Sequence, residues 1–250
     1  SDAPHTWLGI YDHLFLEEAG RRIRAEGDAP SFHFIYTTSN HGPYLLPFEE
    51  YGFDARRLTD HGVRKDSLKY RGLACAWYAD QALCRFIDEM QAAYPDSLFI
   101  VTGDHVGGEF PLIPGMTERR ELLLRERLLT SFSMHHPQLT EADFAGNMIG
   151  GHMNILPTLI ELIAPQGFSY YAVEKPLTER LDHVVTPYAW LTQEEVGHYQ
   201  DRTAQALTVT AGTLPWQVDT ERFAEERDAY VELTAYYVRH PELLIRKEDI

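Results

Sequence analysis

The stretch SLFIVTGDHVGGE, Ser97–Glu109, decides the fold prediction for this chain. It contains the unbroken apolar run Leu98–Val101, which is typical of a strand buried on both faces of a parallel sheet. Asp104 and His105 follow two residues after that run. Ligands of open α/β sheets bind at the carboxyl ends of strands, and a carboxylate beside an imidazole there can hold a divalent cation. The alternative is that Asp104 caps a turn and His105 is an ordinary loop residue.

Two more histidines stand at positions where a loop follows a strand or precedes a helix. Phe32–Thr38, FHFIYTT, is predicted as a strand because it is aromatic and β-branched and is bounded by turn-forming residues. His41 follows it on a loop that prolines and a glycine stiffen. His152 precedes a helix predicted to begin after a cap at Asn154, where a group facing an anion would be useful. The alternatives are a solvated side chain at 41 and a tight loop at 152.

The spacing of the apolar residues predicts the remaining elements. Helical patterns cover residues 11–26, 67–94, 154–163 and 221–237, and the charged run 117–127 is helix-like. Further strands are predicted at Leu128–Met134, Phe168–Val173, Val184–Leu191 and Ala206–Thr213. The strand–helix–strand order from Phe32 to Val101 predicts a parallel crossover, so the expected fold is α/β with a mostly parallel central sheet flanked by helices.

The composition restricts the partners of the chain. Its 250 residues include 38 Asp and Glu against 22 Lys and Arg, a formal net charge of −16. Such a chain lacks the basic face that nucleic acid requires, and it is poorly suited to anionic lipid. An anionic ester as substrate would need local positive charge, which a bound metal supplies. No segment has the apolar length of a membrane span, and the common nucleotide-binding, zinc-protease and serine-hydrolase motifs are absent from the sequence.

The second predicted helix carries two cysteines and one acidic residue of interest. Cys75 and Cys84, the two cysteines of the chain, lie nine residues apart and are predicted to point to opposite faces, too far apart for a disulfide. Asp80 falls on the apolar stripe and is predicted to face inward, where its carboxylate must find a donor or a cation.

The order of these pieces resembles one family. SFHFIYTTSNHGPYLLP, WYADQALCRFIDEM, SLFIVTGDHVGGE and GGHMNILPTLIELI follow one another along the chain. In that order they resemble the lipoteichoic-acid-synthase-like branch of the sulfatase and alkaline-phosphatase superfamily, over roughly residues 7–175. This branch includes phosphoglycerol transferases that work outside the cytoplasmic membrane. The resemblance implies that residues 1–250 are the C-terminal portion of one catalytic domain, with residues 176–250 adding C-terminal strands and a helix.

The resemblance also implies roles for individual residues. Asp104 and His105 match the Asp-His pair that binds the catalytic divalent cation, with manganese or magnesium expected first and zinc or calcium as alternatives. His41 matches the histidine of the Ser-Asn-His-Gly-Pro loop and is implied to contact the substrate phosphate, and His152 is a second substrate-binding candidate. Asn154 departs from the pattern, because relatives commonly carry Asp there, and it is given no metal role.

One departure from the family concerns the nucleophile. Relatives place a threonine or serine nucleophile and an acidic metal ligand well before the SNHGP loop, whereas 40 residues precede His41 here. The expectation is therefore a fold incomplete at its N-terminal side and a chain inactive by itself. The missing N-terminal part would complete the enzyme, and membrane anchoring and an extracytoplasmic location would come with that part.

Two other functions remain open at this level. A sulfatase proper would act on sulfate esters in place of phosphodiesters, again with its nucleophile outside this chain. An accessory or binding domain with a vestigial site would need no nucleophile at all.

Overall fold

The computed structural model describes residues 3–27, 29–106, 123–144, 146, 149–207 and 221–243. Contacts within the chain divide it into two units. Unit 1 contains the described residues of Ser1–Thr102 together with Phe132–Pro137. Unit 2 contains Gly103–Val106 and the described residues of Arg119–Ser131 and Gln138–Ile250. That all 250 residues belong to one catalytic domain stays a prediction.

Unit 1 is built on helices that the apolar spacing predicted well. Helix α1 spans Asp12–Glu26, α2 is the single turn Arg56–Thr59, and α3 spans Leu68–Ala93. Ser67 caps α3, because its hydroxyl accepts a hydrogen bond from the backbone N–H of Tyr70. The long amphipathic patterns therefore end within a residue or two of their predicted limits.

The core of unit 1 lies between α3 and the loop that follows the SNHGP stretch. Its buried members are Leu46, Phe48, Phe53, Tyr70, Ala74, Cys75 and Tyr78. Phe48 and Phe53 meet edge to face, with ring centroids 5.5 Å apart, which is a favoured aromatic geometry. Asp80 is exposed, so the prediction that it faces inward is wrong. The buried residues of α3 include Ala74, Tyr78 and Met90, whereas Leu73, Trp77, Leu83 and Ile87 are only partly buried.

The strand predicted before Asp104 is present, but its pairing differs from the prediction. Strand β1, Phe99–Thr102, pairs antiparallel with β2, Phe132–His135, so that Phe99 stands opposite His135. β1 is half-buried, not buried on both faces. An apolar run of four residues cannot reveal the direction of its neighbour, which is why the parallel pairing was predicted wrongly.

Residues 32–38 are not assigned as a strand, which corrects the first strand of the predicted crossover. Phe32, Phe34 and Tyr36 are 70%, 83% and 58% exposed. β-propensity measures how well side chains fit a pleated, half-buried surface, and here that surface is absent from the described residues. The strand–helix–strand unit from Phe32 to Val101 is therefore not formed.

The described residues of unit 2 form α-helices and an antiparallel sheet. The helices are α4, Leu124–Leu128, α5, Ile155–Ile163, and α6, Glu221–Arg239. The sheet is a meander, in the order β3, His183–Val185; β4, Ala189–Thr192; β5, Glu195–His198; and β6, Thr203–Ala206. Its core is Val185, Trp190, Tyr199, Ala204 and Phe223, the last from α6.

Several strand predictions in unit 2 need correction. The predicted strand 184–191 is two strands, because the Thr186 hydroxyl accepts hydrogen bonds from the backbone N–H groups of Tyr188 and Ala189 and turns the chain. Residues 168–173 form no strand, and the strand predicted at 128–134 begins at Phe132, after α4 and a short linker. The last predicted strand, 206–213, overlaps the observed strand β6, Thr203–Ala206, only at Ala206. Residues 208–213 lie outside the described residues, as does most of the helix-like run 117–127.

Candidate functional site

Asp104 and His105 lie in unit 2, directly after β1 in sequence, and both side chains are mostly exposed. Asp104 Oδ1 accepts a hydrogen bond from the backbone N–H of His105 at 2.8 Å. His105 Nδ1 lies 3.1 Å from the carbonyl oxygen of Val106. A carbonyl can only accept, so Nδ1 carries the proton and Nε2 bears the lone pair of the neutral ring.

These two side chains fit half of a cation site. Asp104 Oδ2 lies 3.5 Å from His105 Nε2. Two donors that share one ion at about 2.1 Å each, at a tetrahedral or octahedral angle, are separated by about 3.0–3.4 Å. The backbone hydrogen bond at Nδ1 is the kind of outer contact that orients metal-binding histidines. Among the residues that the structure describes, no group of three or more His, Cys, Asp or Glu side chains could hold a metal ion.

Gly103 sets the backbone that leads into this pair. Its N–H donates to the carbonyl of Ser131 at 3.0 Å. A Cβ at Gly103 would overlap Thr130 Oγ1, well inside the 3.0 Å limit for real Cβ contacts. The residue before Asp104 must therefore be glycine for the chain to pass this close to Thr130.

His152 is brought next to the same segment of unit 2. It begins the short 3₁₀ turn His152–Asn154, and its Nε2 lies 2.8 Å from the carbonyl oxygen of Gly103. Because that carbonyl accepts, the Nε2–H of His152 is the donor. His152 thus ties the start of α5 to the residue that precedes Asp104, and its role in substrate binding stays a prediction.

Asn154 is a structural residue. It is fully buried, its Oδ1 accepts from the Gly151 N–H, and its Nδ2 donates to the Lys175 carbonyl, both at 2.8 Å. Asn154 occupies the N-cap position of α5, as predicted, but its side chain makes no capping hydrogen bond to α5 and instead accepts from the preceding turn. Buried amides must satisfy both ends, and this one does.

His41 lies in unit 1 on an exposed loop. Its Nδ1 is 2.8 Å from the carbonyl oxygen of Gly42. The same carbonyl accepts a hydrogen bond from Trp7 Nε1 at 2.9 Å, and the two rings meet edge to face at 5.5 Å. That His41 shares one cleft with Asp104 and His105 stays a prediction.

Asp12 is a residue for which the sequence predicted no role. It opens α1 and is 1% exposed. Its Oδ1 accepts from the backbone N–H groups of Thr38 and Ser39 at 3.1 and 3.0 Å, at the start of the loop that carries His41. These contacts join residues 26 and 27 positions apart, so no local pattern could have revealed them.

The remaining histidines near β2 make structural contacts within unit 1. His135 Nε2 lies 2.8 Å from Gln91 Nε2 of α3, and His136 Nε2 lies 3.2 Å from the carbonyl oxygen of Asp96. Both hold the end of β2 near the α3–β1 connection. They are therefore weaker candidates for chemistry than the pair at 104 and 105.

Comparison with known proteins gives a family and a fold. The family model described as Sulfatase matches residues 2–165. A solved structure, the lipoteichoic acid synthase LtaP from Listeria monocytogenes, is similar with a TM-score of 0.62 at 14% identity. That match covers 92% of this chain and 60% of LtaP, so the chain spans less than two thirds of its relative. No curated protein matches the chain.

These matches confirm the resemblance inferred from the ordered motifs at the level of family and fold. The chain has mixed helices and sheets in a sulfatase-like α/β arrangement, as predicted. Within the described part of the chain, no helix is both long enough and apolar enough to cross a membrane.

Proposed function

This chain belongs to the sulfatase family, and on that basis we propose that the intact protein is a metal-dependent phosphoglycerol-type transferase or phosphodiester hydrolase. The similarity to LtaP, a lipoteichoic acid synthase, supports this phosphoglycerol-type reaction over other ester chemistry. Its substrate would be an anionic phosphodiester.

The observation that carries this proposal is the pair of donor atoms at Asp104 and His105. Asp104 Oδ2 and His105 Nε2 stand 3.5 Å apart. The hydrogen bond from His105 Nδ1 to the Val106 carbonyl keeps the lone pair of the neutral ring on Nε2, the nitrogen that would bind the cation. We assign the divalent cation to these two residues, with Mn²⁺ or Mg²⁺ expected first and Zn²⁺ or Ca²⁺ as alternatives. Bound there, it would supply Lewis-acid stabilisation of the phosphoryl oxygens.

His41 has a different task in the proposed reaction. With Nδ1–H bonded to Gly42, the Nε2 atom is the nitrogen that can meet the substrate. As the attacking hydroxyl forms its bond to phosphorus, its proton passes to the lone pair of Nε2, and Nε2 gives that proton to the leaving alcohol as the bond between phosphorus and that oxygen breaks. In the second step Nε2 accepts the proton of the acceptor hydroxyl or water as its oxygen bonds to phosphorus, and it passes that proton to the enzyme hydroxyl that departs. His152 would hold the 103–105 segment and offer a further contact to the anion.

The attacking hydroxyl and the remaining metal ligands are proposed to come from the N-terminal part of the same enzyme. Residues 1–250 would then be inactive alone. We also propose that the protein works outside the cytoplasm and is held at the membrane through that same part. The acidic net charge of −16 fits a partner set without nucleic acid.

A sulfatase proper is the second candidate, because the matching family model carries that description. Both reactions place a tetrahedral anionic ester at the same kind of metal site, so the residues above do not separate them. The substrate assay must therefore decide between phosphodiester and sulfate ester.

The test uses the full-length protein with Mn²⁺, assayed on a glycerophosphodiester and on an aryl sulfate. We expect turnover of the phosphodiester, and turnover of the sulfate alone would refute the preference. Asp104→Asn should lower kcat/KM by at least ~100-fold, since even the outer partners of metal ligands are typically worth 10- to 100-fold. Asp182→Asn, an exposed aspartate of unit 2, is the matched control and should be silent.

His41→Ala should lower kcat by about 100- to 10,000-fold, the usual contribution of a proton-transfer residue. Full activity in both Asp104→Asn and His41→Ala would contradict the proposed site. No turnover of either ester by the metal-loaded wild-type protein would favour the accessory-domain function.

A further inference from the structure

The loop that carries His41 is held at its start by a buried carboxylate. Asp12 and Ser39 are each 1% exposed and bind one another reciprocally. Asp12 Oδ1 accepts from the backbone N–H groups of Thr38 and Ser39, and the Ser39 hydroxyl accepts from the backbone N–H of Asp12 at 2.9 Å. Breaking these contacts would leave buried polar groups without hydrogen-bond partners, so this is a firm anchor.

The other end of the loop is held by the segment that precedes α1. Trp7 Nε1–H donates to the Gly42 carbonyl at 2.9 Å, and the indole ring stands edge-on to His41. Gly9 lies between the two anchors, where an added Cβ would come within 3.0 Å of Thr38 Oγ1. Residues 7–12 therefore pass close along the loop and contact both of its ends.

The contact made by Trp7 is to the Gly42 carbonyl, and this carbonyl determines which ring nitrogen of neutral His41 carries the proton. The Gly42 oxygen accepts from two N–H groups, Trp7 Nε1 and His41 Nδ1. As long as this carbonyl is held beside the imidazole, the proton of the neutral ring belongs on Nδ1. The lone pair is then on Nε2, and within the described residues Nε2 makes no hydrogen bond.

We propose that Trp7 and Asp12 are positioning residues that keep neutral His41 in its Nδ1-protonated form, with Nε2 presented to the substrate. The inference deepens the proposed function and rests on it for the importance of Nε2, but the tautomer can be measured without any turnover. Neither residue touches substrate in this scheme. Asp12 holds the loop, and Trp7 holds the carbonyl.

The experiment is a nitrogen NMR measurement on the 250-residue chain with ¹⁵N-labelled histidine. It is recorded at about pH 9, well above the ordinary histidine pKa of about 6.5, so that the rings are neutral. His41→Gln identifies the resonances of His41. The shifts of the two ring nitrogens then report which one bears the proton.

Four variants separate positioning from folding. Asp12→Ala and Trp7→Phe should each replace the single Nδ1–H signature of His41 by an averaged one. Asp12→Asn keeps an oxygen acceptor and should keep the wild-type signature. Glu17→Ala, an exposed acidic residue on the same helix, is the control and should also keep it.

His13 serves as the internal reporter of folding in unit 1, because its Nδ1 lies 2.5 Å from Tyr78 Oη. If Asp12→Ala also changes the nitrogen shifts of His13, that variant is misfolded, and the result for Trp7→Phe alone decides the inference. The inference is refuted if wild-type His41 carries its proton on Nε2, or if a folded Trp7→Phe variant keeps the Nδ1–H signature. An altered tautomer with unchanged kcat in the full-length variants would instead refute the proposed role of His41 and leave the positioning intact.

Discussion

Replacing Gly103 by alanine should destabilise unit 2 and displace Asp104. The new Cβ would overlap Thr130 Oγ1, and the backbone cannot easily retreat. Its N–H is bonded to Ser131 at 3.0 Å and its carbonyl to His152 at 2.8 Å. Overpacking costs about 1–3 kcal/mol, and one strained hydrogen bond adds about 0.5–1.5 kcal/mol, so the expected loss of unfolding free energy is about 1.5–4.5 kcal/mol.

The double variant Gly103→Ala/Thr130→Ala tests whether the overlap is the cause. Without the Thr130 hydroxyl, the nearest remaining atoms are Thr130 Cβ at 3.5 Å and Ser131 Oγ at 3.6 Å, which are ordinary contacts. The double variant should therefore recover most of the loss, with a coupling energy of about 1–3 kcal/mol between the two positions. Thr130→Ala alone is the control for the loss of the threonine itself.

Urea unfolding followed by circular dichroism measures all four proteins, with a common slope required before free energies are compared. Mn²⁺ titration calorimetry should show the same order, because the backbone at 103 carries Asp104. A Gly103→Ala protein within about 0.5 kcal/mol of wild type would refute the reasoning, as that is the range of changes that touch nothing. So would a Thr130→Ala background that recovers no stability.

Three further outcomes are expected. Gly197→Ala would drive a Cβ into the indole of buried Trp190 and should cost about 1–3 kcal/mol or more, seen as a lower melting temperature; an unchanged melting temperature would contradict the packing of the sheet. Burial raises the pKa of Glu174 above its ordinary 4.5, so the folded state binds the proton more tightly and the free energy of unfolding should fall as pH rises from 4.5 through the raised pKa. Glu174→Gln should flatten that part of the pH profile measured by urea unfolding, and a variant profile identical to that of wild type would disprove the role of Glu174. Cys84 is exposed, whereas Cys75 is buried and burial raises its pKa to about 11. A disulfide reagent should therefore react with one thiol in the native chain and with the second after unfolding, and rapid reaction of both thiols in the native chain would show that Cys75 is accessible.

The helices could be predicted from sequence because their signals are long. α3 has 26 residues of periodic apolar spacing with a serine cap, and α1 and α6 are nearly as regular. The buried face of a helix was harder to predict than its limits. In α3, many apolar side chains lie half-buried beside a buried stripe of alanine, cysteine and tyrosine. Small and amphipathic residues can line a buried face without raising the apolar signal.

The strands could be predicted only in part, because pairing is not a local property. Phe99–Thr102 is a strand, but its partner is antiparallel, and the more β-prone stretch at 32–38 is not assigned as one. The turn at Thr186 depends on a hydroxyl that bonds to following N–H groups, a signal that the apolar run around it conceals.

The candidate site could likewise be predicted only in part. Asp104 and His105 are neighbours in sequence, so their shared position was predictable. His152 was predictable as a candidate from its place before a helix, but its bond to Gly103, 49 residues away in the chain, was not. Asp12 and Trp7 were beyond prediction, because their contacts reach 26 to 35 residues along the chain. Only folding brings them to the loop.

The bond between Trp7 and Gly42 bears on how this protein should be subcloned. A designer who trims to the first helix would begin at Asp12 and discard the indole. The trimmed chain would keep every helix and strand described above, so circular dichroism would report it as intact. The stretch from Ser39 to Pro43 would nonetheless have lost the hydrogen bond and the ring contact that Trp7 makes with Gly42 and His41. Any assay of His41 would then be run on a side chain that is held less firmly.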